Sequence, residues 1–192
     1  MSIKVKSGGT YADITGVFHK HAGAYEAVQG VYHKAGGVYG RVGGGGAAPT
    51  EFRYWRLLMS ANDGNADYWS MSRLSLLDGE TNLSYPQRAT ATDNTNIGVL
   101  ETAMSCFNDS LSDEWVGLKA VTPSWVAIDL GSAVALTSYY ISSQRGTTGR
   151  TPSAWTLQGS NDSQTGPWTD VDTRSGETAW AIQETRNFSI GA

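Results

Sequence analysis

Between residues 124 and 162 apolar and polar positions alternate with a period of two. Val126, Ile128 and Leu130 fall on one side of the chain, Ala127 and Asp129 on the other, the pattern of a strand with one face on a core. Gly131 then predicts a turn. Residues 133–141, rich in Val, Leu, Tyr and Ile, predict a second strand. Residues 150–162 alternate again around Trp155 and Leu157, and end in Gly159-Ser160-Asn161-Asp162, a turn signal ahead of Trp168 and Val171. Phe52-Arg53-Tyr54-Trp55-Arg56-Leu57-Leu58-Met59 reads as a further strand near the front of this region.

A different pattern governs residues 3–42, where a unit of fourteen residues occurs three times. Gly9, Gly23 and Gly37 are spaced by that period, as are Tyr11, Tyr25 and Tyr39; Lys6, Lys20 and Lys34; Ile3, Val17 and Val31; and Ile14, Val28 and Val42. Each unit reads as a β-hairpin turning at Gly8-Gly9, Ala22-Gly23 or Gly36-Gly37. Ile3 should then face Ile14, Val17 face Val28, and Val31 face Val42. Lys6, Lys20 and Lys34 should face Tyr11, Tyr25 and Tyr39. Three short hairpins cannot bury a core of their own, so this segment is expected to rest on other copies of the chain, a trimer being one arrangement, or on a larger assembly. Residues 43–50, opening with four glycines, read as a flexible linker. Residues 51–192 form the second domain.

Composition narrows the choice of function. Residues 1–42 hold five basic side chains against two acidic ones, a balance of +3; with −4 for the whole chain, the rest carries −7. An acidic main domain argues against nucleic acid as a partner. The single cysteine, Cys106, allows no internal disulfide, and no run is long enough to cross a membrane. The segment Met1-Ser2-Ile3-Lys4 lacks the apolar stretch of a signal peptide. The expectation is synthesis in a host cytoplasm with no ordinary export. All three histidines lie within residues 1–42, which excludes a Ser-His-Asp or Cys-His site from the main domain. No phosphate loop or zinc pattern occurs, so the chain is not expected to be an enzyme. His19 and His21 share a strand face. Around a three-fold axis they would gather six imidazoles suited to a transition metal, although the simpler reading is one face of a hairpin.

Several motifs in residues 51–192 carry a family resemblance. Trp125-Val126-Ala127-Ile128-Asp129-Leu130-Gly131, then Thr151-Pro152-Ser153-Ala154-Trp155-Thr156-Leu157-Gln158-Gly159-Ser160-Asn161-Asp162, then Trp168, occur in that order. Ala103-Met104-Ser105-Cys106-Phe107-Asn108-Asp109 followed by Trp115 lies upstream. Together they resemble the discoidin domain, the C-type domain of coagulation factors. The resemblance implies an all-β fold, a β-sandwich jelly roll of the galactose-binding-like type. The family's closing strand resembles Phe52–Arg56, which here comes first, so the resemblance also implies a circular permutation. The hairpin repeats, less specifically, resemble those of structural proteins of tailed bacteriophages.

The resemblance further implies candidate sites. The family's calcium loop falls on Asn108, Asp109, Ser110 and Asp113, ahead of Trp115. Arg73 stands where the family places a glutamate ligand. A guanidinium there repels a cation, and Arg73 is expected to pair with Asp109 or Asp113 in the ion's stead. Trp125, Trp155 and Trp168 lie in strand patterns and are expected in the core. Tyr68, Trp69, Trp115 and Trp180 lie in or beside polar loops and are the expected sugar-stacking faces. Arg145 and Arg150 flank Gly146-Thr147-Thr148-Gly149 and suit hydroxyl or carboxylate groups of a glycan. Cys106 is expected to be buried rather than reactive.

The expectation from sequence is a virion structural protein, associated with a phage tail. Residues 1–42 would dock it on other virion proteins, and the sandwich would bind host cell-surface polysaccharide. The alternatives are an architectural decoration protein whose sandwich makes only protein–protein contacts, and a bacterial carbohydrate-binding module separated from its enzyme.

Overall fold

The computed structural model describes residues 50–95 and 102–191, together with the backbone of six strands ahead of them. Strands make up 49% and helix 8%, which places the protein in the all-β class. The chain divides into two compact units, Met1–Pro49 and Thr50–Ala192.

In the first unit β1 (Ile3–Ser7) pairs with β2 (Thr10–Ile14), β3 (Phe18–His21) with β4 (Ala24–Ala27), and β5 (Val31–Ala35) with β6 (Val38–Val42), all antiparallel. Ile3 lies opposite Ile14 and Val31 opposite Val42; Lys6, Lys20 and Lys34 lie opposite Tyr11, Tyr25 and Tyr39. The expected Val17–Val28 pair, the three glycine turns and the 43–49 segment lie outside the described residues, as do the side chains of His19 and His21.

The second unit contains β7 (Phe52–Asn62), β8 (Tyr68–Met71), β9 (Arg73–Asp78), β10 (Thr81–Asn82), a one-turn helix α1 (Ser84–Gln87), β11 (Thr92–Asp93) and a second short helix α2 (Ala103–Cys106). After these come β12 (Trp115–Leu118), β13 (Ser124–Val134), β14 (Ser138–Ser142), β15 (Pro152–Ser160), β16 (Thr169–Ser175) and β17 (Thr185–Ser189). Five strands form one sheet in the order β11-β13-β7-β15-β16, and four form another in the order β10-β9-β14-β17. The strands β12 and β8 make a separate ladder that sets Trp115 against Met71 and Leu118 against Tyr68.

The two sheets form a sandwich because each strand has one apolar face. Along β7, Phe52, Trp55, Leu57 and Met59 are buried; along β13, Val126, Ile128 and Leu130; along β15, Trp155 and Leu157. The other sheet meets them with Leu74 and Leu76 from β9, Tyr139 and Ile141 from β14, and Phe188 from β17. Trp155 shows the interdigitation: its ring meets Phe188 edge-on at 5.0 Å, and its Nε1 donates to the Tyr139 hydroxyl at 2.9 Å.

Gly131 does not reverse the chain as its position suggested. It sits inside β13 at φ +82, where the register against β7 slips between Asp129 and Val134. Its N–H donates to Asp129 Oδ1 at 2.7 Å. A positive φ inside a strand makes a bulge, so the strand bends and continues. The 133–141 segment is therefore divided, its first two residues ending β13 and its last four falling in β14.

Cys106 lies at the end of α2 with no exposed surface. Its Sγ donates to the Ala103 carbonyl at 3.2 Å. Burial pushes the thiol pKa up, with the Asp93 charge adding to it, so almost no thiolate forms near neutrality. Native protein is expected to resist an aromatic disulfide reagent at pH 8, and denaturant should release one reactive thiol per chain. Labelling of the native chain at the rate of a free thiol would contradict this burial.

Candidate functional site

At one end of the sandwich several loops converge. The backbone N–H groups of Asp63 and Asn65 donate to Thr151 and Gly149, at 2.9 and 2.8 Å, and Lys119 N–H donates to Asp67 at 2.8 Å. The Asp63 carboxylate accepts the N–H groups of Ala179 and Trp180, both at 3.1 Å. This end brings together Tyr68, Trp69, Arg150 and Trp180, and the loop that carries Arg145. Trp115 lies on β12, the strand paired with β8, opposite Met71.

Their surroundings decide which can meet a ligand. Trp69 and Trp115 have no exposed surface, and Trp180 only 3%. The Lys119 ammonium sits 3.7 Å from the centre of the Trp69 ring, and the Arg186 guanidinium 4.0 Å from that of Trp180. Trp180 Nε1 donates to the Glu177 carbonyl at 2.9 Å, while Arg186 pairs with Glu177 and Glu184 at 3.0 and 2.7 Å. A stacking platform needs an open face. These three indoles are packing residues, which corrects the expectation drawn from their polar neighbours. Tyr68 remains half-buried and Arg145 exposed. Arg150 lies 4.8 Å over the Tyr68 ring, and its Nε is buried without a partner. A groove of about 360 Å³ runs beside Tyr68, lined also by Ala66, Asp67, Leu118, Lys119 and Ala120.

The 108–113 loop does not fit a calcium ion. Asn108 Nδ2 donates to Asp113 Oδ2 at 2.6 Å, and Asn108 Oδ1 accepts the Ser110 N–H at 2.9 Å. Arg73 Nη1 pairs with Asp109 Oδ1 at 3.2 Å. One oxygen of each of these three side chains, Asn108, Asp109 and Asp113, is engaged by a protein donor, and the Arg73 guanidinium stands where the ion's charge would be. Among the described residues, no group of three or more His, Cys, Asp and Glu is placed to hold a metal.

Among the described residues, the outer face of the five-stranded sheet carries several half-buried aromatic rings. Trp125 shares its side of β13 with Ala127 and Asp129, opposite the buried Val126 and Ile128, and is half-buried. It was expected in the core; strand alternation places it outside. Trp168, immediately ahead of β16, is also half-buried. The Arg56 guanidinium lies 4.4 Å from the centre of its ring, and Arg56 stands between the inward-facing Trp55 and Leu57. Trp168 therefore leans over the outer face as well. The Gly166 backbone closes against it: a Cβ there would lie 2.5 Å from Trp168 Cδ1, and Gly166 adopts φ +95. Tyr54 completes the set, half-buried with Arg53 at 5.0 Å over its ring.

Polar groups run between the rings. In register across the sheet lie Ala127, Arg56, Gln158 and Asp170. Arg56 Nε donates to Gln158 Oε1 at 2.6 Å, and Gln158 Nε2 donates to Asp170. Burial lowers the Arg56 pKa, an effect that Asp170 partly offsets, and the guanidinium stays charged. At the edge of the face, the Arg53 hydrogen bond holds the Asp129 carboxyl below its ordinary pKa, helped by the Gly131 N–H. That pair is intact above the usual carboxylate range and weakens as pH falls through the lowered value. From β13 to β16 is three strand spacings, ~14 Å. Comparisons with family models, with curated proteins and with solved structures returned no match.

Proposed function

We propose that this chain is a tail-associated virion protein of a bacteriophage. Residues 1–42 would anchor it to other virion proteins as a homo-oligomer, and the Thr50–Ala192 sandwich would bind a host cell-surface polysaccharide. The observation that carries the binding half is the outer face of the five-stranded sheet. Trp125, Trp168 and Tyr54 are each half-buried there, separated by the hydrogen-bonding row of Arg56, Gln158 and Asp170. Sugar rings have C–H faces that pack on aromatic planes and hydroxyl edges that need donors and acceptors, and this face offers both. The fourteen-residue repeat supports the anchoring half, since two-stranded ladders of four or five residues per strand are stable only on a partner surface. Many copies on one particle would multiply modest single-site affinity.

We read the sandwich as a permuted jelly roll of the galactose-binding-like type. In support, β7 pairs on both sides, with β13 and β15, and is integral to the sheet rather than the remnant of a preceding domain. The test is retention of the full chain on immobilised host-envelope polysaccharide. Retention that disappears in the Trp125→Ala/Trp168→Ala double variant, with unchanged thermal unfolding, supports the reading. An intact particle that adsorbs to its host equally well with and without those indoles would favour the architectural alternative.

A further inference from the structure

The opposite side of the sandwich holds a second concavity, unconnected with the aromatic face. On the four-stranded sheet Leu74, Leu76, Tyr139, Ile141 and Phe188 point into the core. Arg73, Ser75, Leu77, Tyr140 and Thr185 therefore stand on the outer side. In register, Ser75 lies beside Tyr140 and Arg73 beside Ser142, with Thr185 next across. These small hydroxyl residues keep the middle of the face low. Glu80 and Asn82 rise at one end, from the β9–β10 hairpin, and Asp109 at the other, tied to the sheet by Arg73. The groove between them has a volume of about 250 Å³, below the ~300 Å³ at which clefts for drug-sized ligands begin. It has room for one ring.

The lining specifies what kind of ring. Tyr140 is half-buried, with part of its ring open, and Leu77 is buried beside it. Together they offer an apolar floor. Around it stand directional polar groups. Arg73 donates through Nη1 to Asp109, through Nε to Ser142 Oγ and through Nη2 to Thr185 Oγ1. Three of its five N–H groups are used and two remain. Asn82 is fixed by its own bonds, Nδ2 to Ser75 Oγ at 3.2 Å and Oδ1 to the Ser84 N–H at 3.0 Å. Glu80 adds acceptors at the exposed rim. One guanidinium, already paired, faces two carboxylates, so an anionic ligand is disfavoured. A small ring with an apolar face, adjacent hydroxyls and no negative charge satisfies every wall.

We propose that this groove is a second saccharide site that takes a single uncharged pyranose. It does not depend on the aromatic face, and it would make each sandwich able to hold glycan on both sides. Tyr140 packs on the ring's C–H face, Glu80 accepts from a hydroxyl pair, and the free Arg73 N–H groups donate to a ring or hydroxyl oxygen.

The test is a backbone amide NMR titration of the full chain with the methyl glycosides of glucose, galactose, mannose and N-acetylglucosamine. At least one sugar is expected to produce saturable shifts at Ser75, Leu77 and Tyr140, with millimolar affinity. Those shifts should vanish in Tyr140→Ala, weaken about tenfold in Glu80→Gln, and persist in Trp125→Ala. Tyr140 lies on the outer face, so the variant's amide spectrum should stay dispersed; Tyr140→Phe, which keeps the ring, should retain most of the binding. Absence of saturable shifts at those amides with all four sugars would overturn the proposal, as would shifts that survive Tyr140→Ala. Shifts confined to Trp125 and Trp168 would overturn it too, while leaving the polysaccharide reading standing.

Discussion

Trp155→Ala is expected to lower the unfolding free energy of the sandwich by about 3–5 kcal/mol, and Trp155→Phe by roughly half as much. The indole is 1% exposed and spans the space between the sheets, so truncation leaves a void that strand backbones cannot close. It also heads a chain of hydrogen bonds. Trp155 donates to Tyr139, the Tyr139 hydroxyl donates to Asp172 Oδ2 at 2.6 Å, and Arg174 Nε holds the same oxygen at 2.8 Å. Burial, then the Asp172 bond, push the Tyr139 pKa upward, so the phenol stays protonated as a donor. Phe keeps one aromatic ring but loses the N–H and part of the indole, so the difference between the Phe and Ala variants reports the packing of that ring. Urea unfolding followed by circular dichroism measures both. A loss below about 1 kcal/mol for the alanine variant would mean that the sheets do not close on this ring.

The second large effect concerns binding. Each of Trp125→Ala and Trp168→Ala should weaken retention on host polysaccharide about tenfold. That corresponds to roughly 1.4 kcal/mol for a lost stacking face. The two positions lie three strand spacings apart, so their effects should add, giving about a hundredfold loss in the double variant. Arg56→Ala should be intermediate and should also loosen Trp168, because the guanidinium stacks on that ring. Both tryptophans are half-buried, so melting should move little. Affinity electrophoresis in polysaccharide-loaded gels reads the ratio directly. Full retention by the double variant would remove this face as the binding surface.

Much of the fold was legible because strands repeat every second residue. Val126, Ile128 and Leu130 on one side and Trp155 with Leu157 on another strand were enough to place the core. The same rule applied to Trp125 would have put it outside with Asp129; its bulk and aromatic character outweighed its parity in the reading. Trp69 shows the opposite error. Its neighbours Asp63, Gly64 and Asn65 are polar, yet β8 folds inward against β12, a pairing between segments more than forty residues apart that no local pattern announces. The Arg73–Asp109 pair was within reach, because a cation at a ligand position demands an anion nearby. The groove around Tyr140 was not, since it is assembled from β9, the β9–β10 hairpin, β14, β17 and a distant loop, each supplying between one and three ordinary residues.

The place of β7 has a consequence for how the protein is made. It is the earliest strand of the sandwich to leave the ribosome, yet both of its neighbours, β13 and β15, are encoded more than sixty residues later. Until residue 134 has been synthesised, the strand that carries Phe52, Trp55, Leu57 and Met59 has no neighbour to pair with, and its second side stays open until residue 160. Non-local pairing of this kind folds slowly and leaves sticky intermediates. Recombinant yield should therefore improve when translation is slowed by cold or when holdase chaperones are abundant.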